Sequence, residues 1–352
     1  MRGRVLEQDP PPRRNRPISV FAYIVRRLFQ AALVIIVVSI ITFIISYVMP
    51  QWFGENLAAT YAGKSQTPAT IAAIGEKLGF NKPLVVQYWD YFTGIFTGRT
   101  FGNGSVALSC PAPCFGYSYI TNQLVWPKLI ADFPVTLSLA IGAAVLWLFF
   151  GVLGGVLAAL NKGRFTDRSI IVVALAGISM PVNFTALVVA LLVQYQFHFM
   201  DQIQYVPFTQ DPWNWALNIF WPCAVLAFIS AAAYTRITRS TMLDTLNEDY
   251  VRTARSKGLP EWNVVGKHAM RAIYTPIITM FGLDFGYLLG GAVVTEKIFG
   301  FHGIGFDAVD AIGRSDIPVV MGVTLMASFF IVAANLIVDL LYGVLDPRVR
   351  LG

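Results

Sequence analysis

Charge is what this sequence has least of. Asp, Glu, Lys and Arg make up 13% of its 352 residues, against about 25% in an ordinary soluble domain. So few charges cannot cover a water-facing surface of this size. Disorder is excluded too: aromatics reach 14%, and disordered chains are poor in aromatics and rich in charge. The three cysteines are too few for a disulfide framework. The three histidines, His198, His268 and His302, stand apart with no metal-like spacing. No Gly-x-x-x-x-Gly-Lys-Ser/Thr phosphate loop occurs, so the chain has no evident means of holding ATP. Gly-x-Ser-x-Gly and His-Glu-x-x-His are also missing, and no acid pair or nucleophile constellation marks an intramembrane enzyme.

What is there is apolar. Hydrophobic residues make up 56% of the chain and the mean hydropathy is +0.60, which points to lipid. A bilayer core of about 30 Å needs about 20 helical residues. Six runs meet that length with almost no charge: Leu28 to Met49, Phe133 to Leu160, Ser169 to Phe197, Ala216 to Thr235, Ile273 to Thr295 and Ile317 to Gly343. Asp284 and Asp339 are the acids inside them. The first run is too long for the apolar region of a cleaved signal, about 7–15 residues. Every run is too long for a barrel strand, so the expectation is an all-α polytopic protein with six spans.

Charge fixes the sidedness. Most of the 26 basic residues fall in the tail before span one, the loop between spans two and three (Lys162, Arg164, Arg168), the loop between spans four and five, and the C-terminus. The other side has Lys64, Lys77, Lys82, Arg99, Lys128, Lys297 and Arg314. The positive-inside rule then predicts both termini in the cytoplasm. The net charge of +6 follows from topology, and no folded basic domain suggests nucleic acid. The expected organisation is a cytoplasmic tail and interfacial segment (1–27), a first span (28–49), an external loop (50–132), a five-helix core (133–343) with a cytoplasmic loop at 236–271, and a cytoplasmic tail (344–352).

Residues 1–17 are rich in Arg and Pro and read as disordered. Ile18 to Arg27 fits either an interfacial segment or a plain extension of the first helix. The loop at 50–132 is too long for a simple connector, and helices are expected around Pro68–Leu78 and Pro83–Phe96. Within 236–271, apolar residues recur at helical spacing, first Met242, Leu243, Leu246 and Tyr250, then Val264, Val265 and Met270. Gly258 is a C-cap candidate and Pro260 a first-turn proline. Two short helices with a sharp bend are predicted. Their apolar face needs cover, either from a partner or from the bundle itself.

Gly282, Gly286 and Gly290 are spaced by four, a smooth face for close helix contact, as are Gly151 and Gly155. The stripe either packs within the bundle or, with Asp284 beside it, lines a path shared with another subunit. Asp284 should face protein or water, because charge in lipid is costly. Cys110 and Cys114, in Cys-Pro-Ala-Pro-Cys, are either a short-loop disulfide in an oxidising location or two free thiols. Cys223 reads as packing.

The sequence resembles the transmembrane permease subunits of ATP-binding-cassette importers, in particular the B-type permease of dipeptide, oligopeptide and nickel systems. The resemblance runs over nearly the whole chain from Tyr23. It is carried by Tyr23-Ile-Val-Arg-Arg-Leu-Phe-Gln30, by Leu78-Gly-Phe-Asn-Lys-Pro-Leu-Val-Val-Gln-Tyr88 and by Glu248-Asp-Tyr-Val-Arg-Thr-Ala-Arg-Ser-Lys-Gly-Leu259. Gly291-Ala-Val-Val-Thr-Glu-Lys-Ile-Phe299 with Gly303-Ile-Gly305, Asn335-Leu-Ile-Val-Asp-Leu-Leu-Tyr342 and Leu345-Asp-Pro-Arg348 complete it.

The resemblance implies a type I importer fold and a non-catalytic pore subunit in the bacterial inner membrane. It implies a second homologous permease, two ATPase subunits carrying ATP and Mg, and an external solute-binding protein. No cofactor is expected on this chain. The cytoplasmic loop would be the coupling element, with Arg252, Ala254, Arg255, Lys257, Gly258, Glu261 and Trp262 at the ATPase. Ala254 and Gly258, if both helical, would permit close backbone approach. Asp284, Gly282 and Gly286 are the candidates for the translocation path. Peptide is the expected cargo, with nickel, glutathione or oligosaccharide as alternatives. A secondary carrier is disfavoured by the scarcity of membrane acids and the lack of an evident inverted repeat. Three features depart from the family's pattern. Arg252-Thr253-Ala254 stands where Glu-Ala-Ala is usual, an acid stands at 284 where a neutral polar residue is common, and Cys-Pro-Ala-Pro-Cys looks like an insertion.

Overall fold

The computed structural model describes residues 20–54, 56–62, 67–101, 107–196 and 204–345. The Arg/Pro-rich tail, His198 and the Asp-Pro-Arg stretch after Leu345 lie outside them. Five helices are long and apolar enough to cross a membrane, and a bent pair makes a sixth candidate span.

Helix α1, Val20–Phe43, runs through a π-helical turn at Ile44–Val48 into α2, Met49–Trp52. From Val20 on, the segment before Leu28 is therefore the plain extension of the first helix; Ile18 lies outside the described residues. α3, Leu57–Ala62, α4, Pro68–Leu78, and α5, Leu84–Thr97, follow, the last two close to expectation. The Thr67 hydroxyl caps α4 by accepting the Thr70 N–H at 3.3 Å. Two small antiparallel hairpins come next, β1 (Arg99–Phe101) with β2 (Leu108–Cys110) and β3 (Tyr117–Ser118) with β4 (Gln123–Leu124). Cys110 and Cys114 form a disulfide. The Arg99 guanidinium lies 4.5 Å from the centre of the Phe101 ring, and burial pulls its pKa below the usual arginine range.

α6, Val125–Leu160, begins eight residues before the expected span, so Lys128 and Asp132, which read as loop residues, form an ion pair within it at 2.9 Å. α9, Pro212–Leu246, outlasts its apolar run and continues through Arg236 and Arg239. At 1.5 Å per residue each of these helices is roughly 50 Å long, well beyond a bilayer core of about 30 Å. They pack together through glycine. A Cβ at Gly151 would sit 2.7 Å from the Tyr234 Cβ, and one at Gly155 would sit 2.5 Å from the Thr238 Cβ. Cys223 is buried at the same interface.

The third apolar run is not one rod. It forms α7, Phe165–Ser179, and α8, Val182–Leu191, bent by 102°. Pro181 is the cause. Proline has no N–H for the helical ladder and its ring clashes with the preceding turn, while the residue before it is pushed out of the helical region. Met180 accordingly has φ −87 and ψ 124. Asp167 of α7 takes a two-point ion pair from Arg239 of α9, at 2.7 and 2.9 Å.

α10, Asp249–Ser256, and α11, Glu261–Asn263, lie between α9 and α12, Met270–Leu289. The predicted second short helix is in fact the start of the fifth span. α11 passes through a π-helical segment, Val264–Ala269, into α12 as one 29-residue rod. Pro260 caps α11 from just outside its first turn. α12 stops at Leu289, short of the expected Thr295. Gly291 takes a left-handed φ of +120 there, and the chain turns into α13, Val293–Phe299, then α14, Ile304–Gly313, and α15, Ile317–Leu345.

The turn around α13 is held by Glu296, which is fully buried. Its carboxylate accepts from the Thr136 hydroxyl at 2.8 Å, the Phe306 N–H at 2.8 Å and the Ala292 N–H at 3.2 Å. The Thr136 oxygen in turn accepts the Ile304 N–H at 2.9 Å. Backbone meets backbone here: a Cβ at Gly305 would lie 2.7 Å from the Val293 Cα. Ser118 donates to Asp316, and Lys128 pairs with Asp307, so the β3–β4 hairpin and α6 are tied to the α14–α15 end. Arg27 pairs with Asp339 at 3.0 Å, joining α1 to α15. Side chains such as Phe149, Phe150, Val172 and Val173 point outward, an arrangement suited to lipid and costly in water.

Candidate functional site

Two features stand out, and both lie on α9 and α12. The first is the hairpin that joins these helices. α10 starts after Glu248 with Asp249 in its first turn and ends with Arg255 in its last, both favourable with the helix dipole. Gly258 then adopts a left-handed φ of +75. Its N–H donates to the Arg255 carbonyl at 2.9 Å, and the Leu259 N–H donates to the Ala254 carbonyl at 3.4 Å, the pattern of a helix closed by glycine. Val251, Ala254 and Val264 form a small core with Leu246 against them. The Arg255 guanidinium clasps Glu261 across the bend, at 2.6 and 3.2 Å, and that carboxylate holds its pKa above the usual value.

This packing corrects one expectation. Ala254 is buried inside the hairpin and Gly258 is not helical, so the two cannot form a smooth helical face for a partner. The exposed surface includes Tyr250, Arg252, Lys257 and Leu259, with the acids Glu248, Asp249 and Glu261 among them and Trp262 75% exposed. Gly258 still has open space in front of it, since nothing lies within 4 Å of a Cβ placed there.

The second feature is a pocket of about 230 Å³ between α8, α9, α12 and α13. Asp284 lies in its wall beside Trp147, Ser230, Tyr287 and Thr295. The Tyr234 hydroxyl of α9 donates to Asp284 at 2.9 Å. Val182, just past the α7–α8 break, also lines it. Here a second expectation is corrected. Gly282 and Gly286 do not line this pocket. They pack on α15, where a Cβ at Gly282 would be 1.8 Å from Val338 Cγ2 and one at Gly286 would be 2.6 Å from the Ala334 Cβ. Residues at i, i+4 and i+8 share one helix face, and residue i+2 points to the other side, so Asp284 faces away from the stripe. Tyr234, Trp147 and Thr295 were not singled out from sequence. The sequence signal that could have found that face is the helical spacing of Asp284, Tyr287 and Leu288.

No group of three or more His, Cys, Asp or Glu residues suited to a metal occurs among the described residues.

Residues 151–351 match the family model for the binding-protein-dependent transport system inner membrane component, and residues 20–140 match the model for the N-terminal part of such components. The chain belongs to this family. It is thus a multi-pass protein of the bacterial inner membrane and the permease of an ATP-binding-cassette importer, a transport subunit that works with ATPase and solute-binding partners.

Among its relatives, a putative peptide transport system permease protein of Brucella abortus (strain 2308) is 34% identical, over 94% of this chain and 99% of that one. The di/tripeptide transport system permease protein DppB of Pseudomonas aeruginosa (strain UCBPP-PA14) is 34% identical, with coverage of 94% and 99%. The glutathione transport system permease protein GsiC of Escherichia coli (strain K12) is 32% identical, with 93% and 98%. Among solved structures, the inward-facing MetNI methionine ABC transporter matches with a TM-score of 0.50 at 14% identity, over 63% of this chain and 97% of that one. At that identity the likeness supports the permease fold alone.

Proposed function

We propose that this chain is a pore-forming subunit of an ATP-driven importer of peptides. The observation that carries the reading is the near full-length similarity to permeases of peptide, di/tripeptide and glutathione transport systems. Both termini and the α10 hairpin face the cytoplasm, and residues 50–124 face outward towards a solute-binding protein. The chain pairs with a second, homologous permease, and two ATPase subunits bind below and carry the ATP and Mg. The α10 hairpin seats in the ATPase. Trp262, Tyr250 and Leu259 supply its apolar contact, and Arg252 and Lys257 its charge. The hairpin is rigid enough to act as a lever: its small core, the glycine closure and the Arg255–Glu261 clasp hold it as one body. Nucleotide-driven closure of the ATPases therefore reaches the spans as a rigid-body tilt.

The test is reconstitution of the four-subunit complex with its binding protein in liposomes. Di- and tripeptides should accumulate only when ATP is present on the ATPase side. Accumulation without ATP would mean a secondary carrier. Gly258→Trp is expected to abolish uptake and stimulated ATP hydrolysis while the complex still assembles, because it places a large side chain where the hairpin meets the ATPase. Gly258→Asn, whose side chain tolerates the left-handed region, should retain most of both. Normal coupled turnover by Gly258→Trp would overturn the docking assignment.

A further inference from the structure

A lever and a pore do not explain the pocket that holds Asp284. This acid lies on a spanning helix, where an unpaired charge is costly and marks a functional position. A carboxylate has about four acceptor sites, yet among the described residues Tyr234 is the one hydrogen-bond donor that reaches it. No Lys, Arg or His lines the pocket. A second, separate observation points to a ligand. Thr295 lines the same pocket, is 1% exposed, and its hydroxyl has no hydrogen-bond partner. A buried hydroxyl left so costs about 1–3 kcal/mol, which a bound polar group would recover. Trp147 and Tyr287 add aromatic walls, and aromatic faces attract cations.

The shape limits what enters. At about 230 Å³ the space is smaller than the ~300–1,000 Å³ of a pocket that takes a whole drug-sized ligand. It suits one end of a molecule. The chemistry selects which end: a carboxylate, an unpaired hydroxyl and aromatic faces, with no basic group, fit a primary ammonium and repel a carboxylate. Resting on the peptide reading above, we propose that this pocket receives the free amino end of the cargo, with Asp284 pairing with the ammonium, Tyr234 fixing the carboxylate and the Thr295 hydroxyl oxygen accepting a hydrogen bond from a second ammonium N–H. The permease itself then checks for an amino terminus, in addition to any selection by the solute-binding protein.

The experiment uses the assembled permease–ATPase complex in lipid nanodiscs, without the binding protein, so that selection by that protein cannot enter. Equilibrium binding of radiolabelled trialanine and N-acetyl-trialanine is measured. Acetylation removes the charge and should weaken binding to the wild type by about tenfold or more, the scale of a lost charge-assisted hydrogen bond. Asp284→Asn should weaken trialanine binding by a similar factor and leave N-acetyl-trialanine unchanged, with subunit co-purification reporting assembly. Equal binding of both peptides to the wild type overturns the proposal, and that comparison needs no variant. So does an Asp284→Asn complex that still prefers the free amine. ATP-driven uptake of trialanine by the wild type with its binding protein is measured in parallel. Failure of that uptake with amine discrimination intact overturns the peptide reading and supports the ammonium pocket.

Discussion

Glu296 and Asp284 belong to the same stretch of chain, the fifth span and its return, yet their surroundings are opposite. Glu296 is sealed from solvent and well partnered: two backbone N–H groups and a threonine hydroxyl converge on it. Asp284 is partly exposed on a pocket wall and takes a single tyrosine. A buried charge whose lone pairs are filled by fixed donors holds its surroundings in place. A carboxylate left with open lone pairs beside an unpartnered hydroxyl has capacity for something that arrives. The contrast separates an acid that builds the permease from one that can act on cargo, and neither hydropathy nor charge count distinguishes them.

The comparison can be broken by mutation. The largest effect is expected for Glu296→Ala. Three donors lose their acceptor at about 1–3 kcal/mol each, so destabilisation on the order of 3 kcal/mol or more should appear as a large drop in the denaturation midpoint of the purified complex and in its yield. Gly305→Ala should cost less, about 1–3 kcal/mol, as an overpacking change, because its methyl would press on the backbone of Val293 and that backbone cannot rotate away. Tyr234→Phe should be the mildest, about 1.5 kcal/mol, the low end for a hydrogen bond to a charged group, because Asp284 is partly open to solvent, with its main effect on peptide binding. If Tyr234→Phe destabilised as much as Glu296→Ala, Asp284 would also be a structural acid and the distinction would fail.

Much of this architecture was legible from apolar run length alone. Runs one, two, four and six each lie within one continuous helical rod, and Gly258 marked the hairpin's bend correctly because a left-handed closure is a local property. What could not be read was whatever depends on distant partners. Helix α9 outlasts its apolar run because a helix ends where its backbone bonds end, and hydropathy registers only the lipid-facing part. The break in the third run was signalled by Pro181, but a test built on charge and length passes over a single proline inside an apolar stretch. The glycine stripe was visible as a packing face, but its partner, α15, was not. Glu296 stood in a motif quoted for family resemblance, and its role depends on Thr136, far back in the chain. Ala254 looked available to a partner because sequence spacing does not reveal which neighbour covers a small residue first.

The two helices that leave the α10 hairpin are stitched to each other farther up by Tyr234 and Asp284. A tilt that spreads their lower ends must stretch or release that stitch, and a guest held at Asp284 must alter how readily it gives. On the proposed reading, motor stroke and cargo occupancy act on the same pair of rods, so a full pocket and a closed engine would each be sensed by the other without any contact between them.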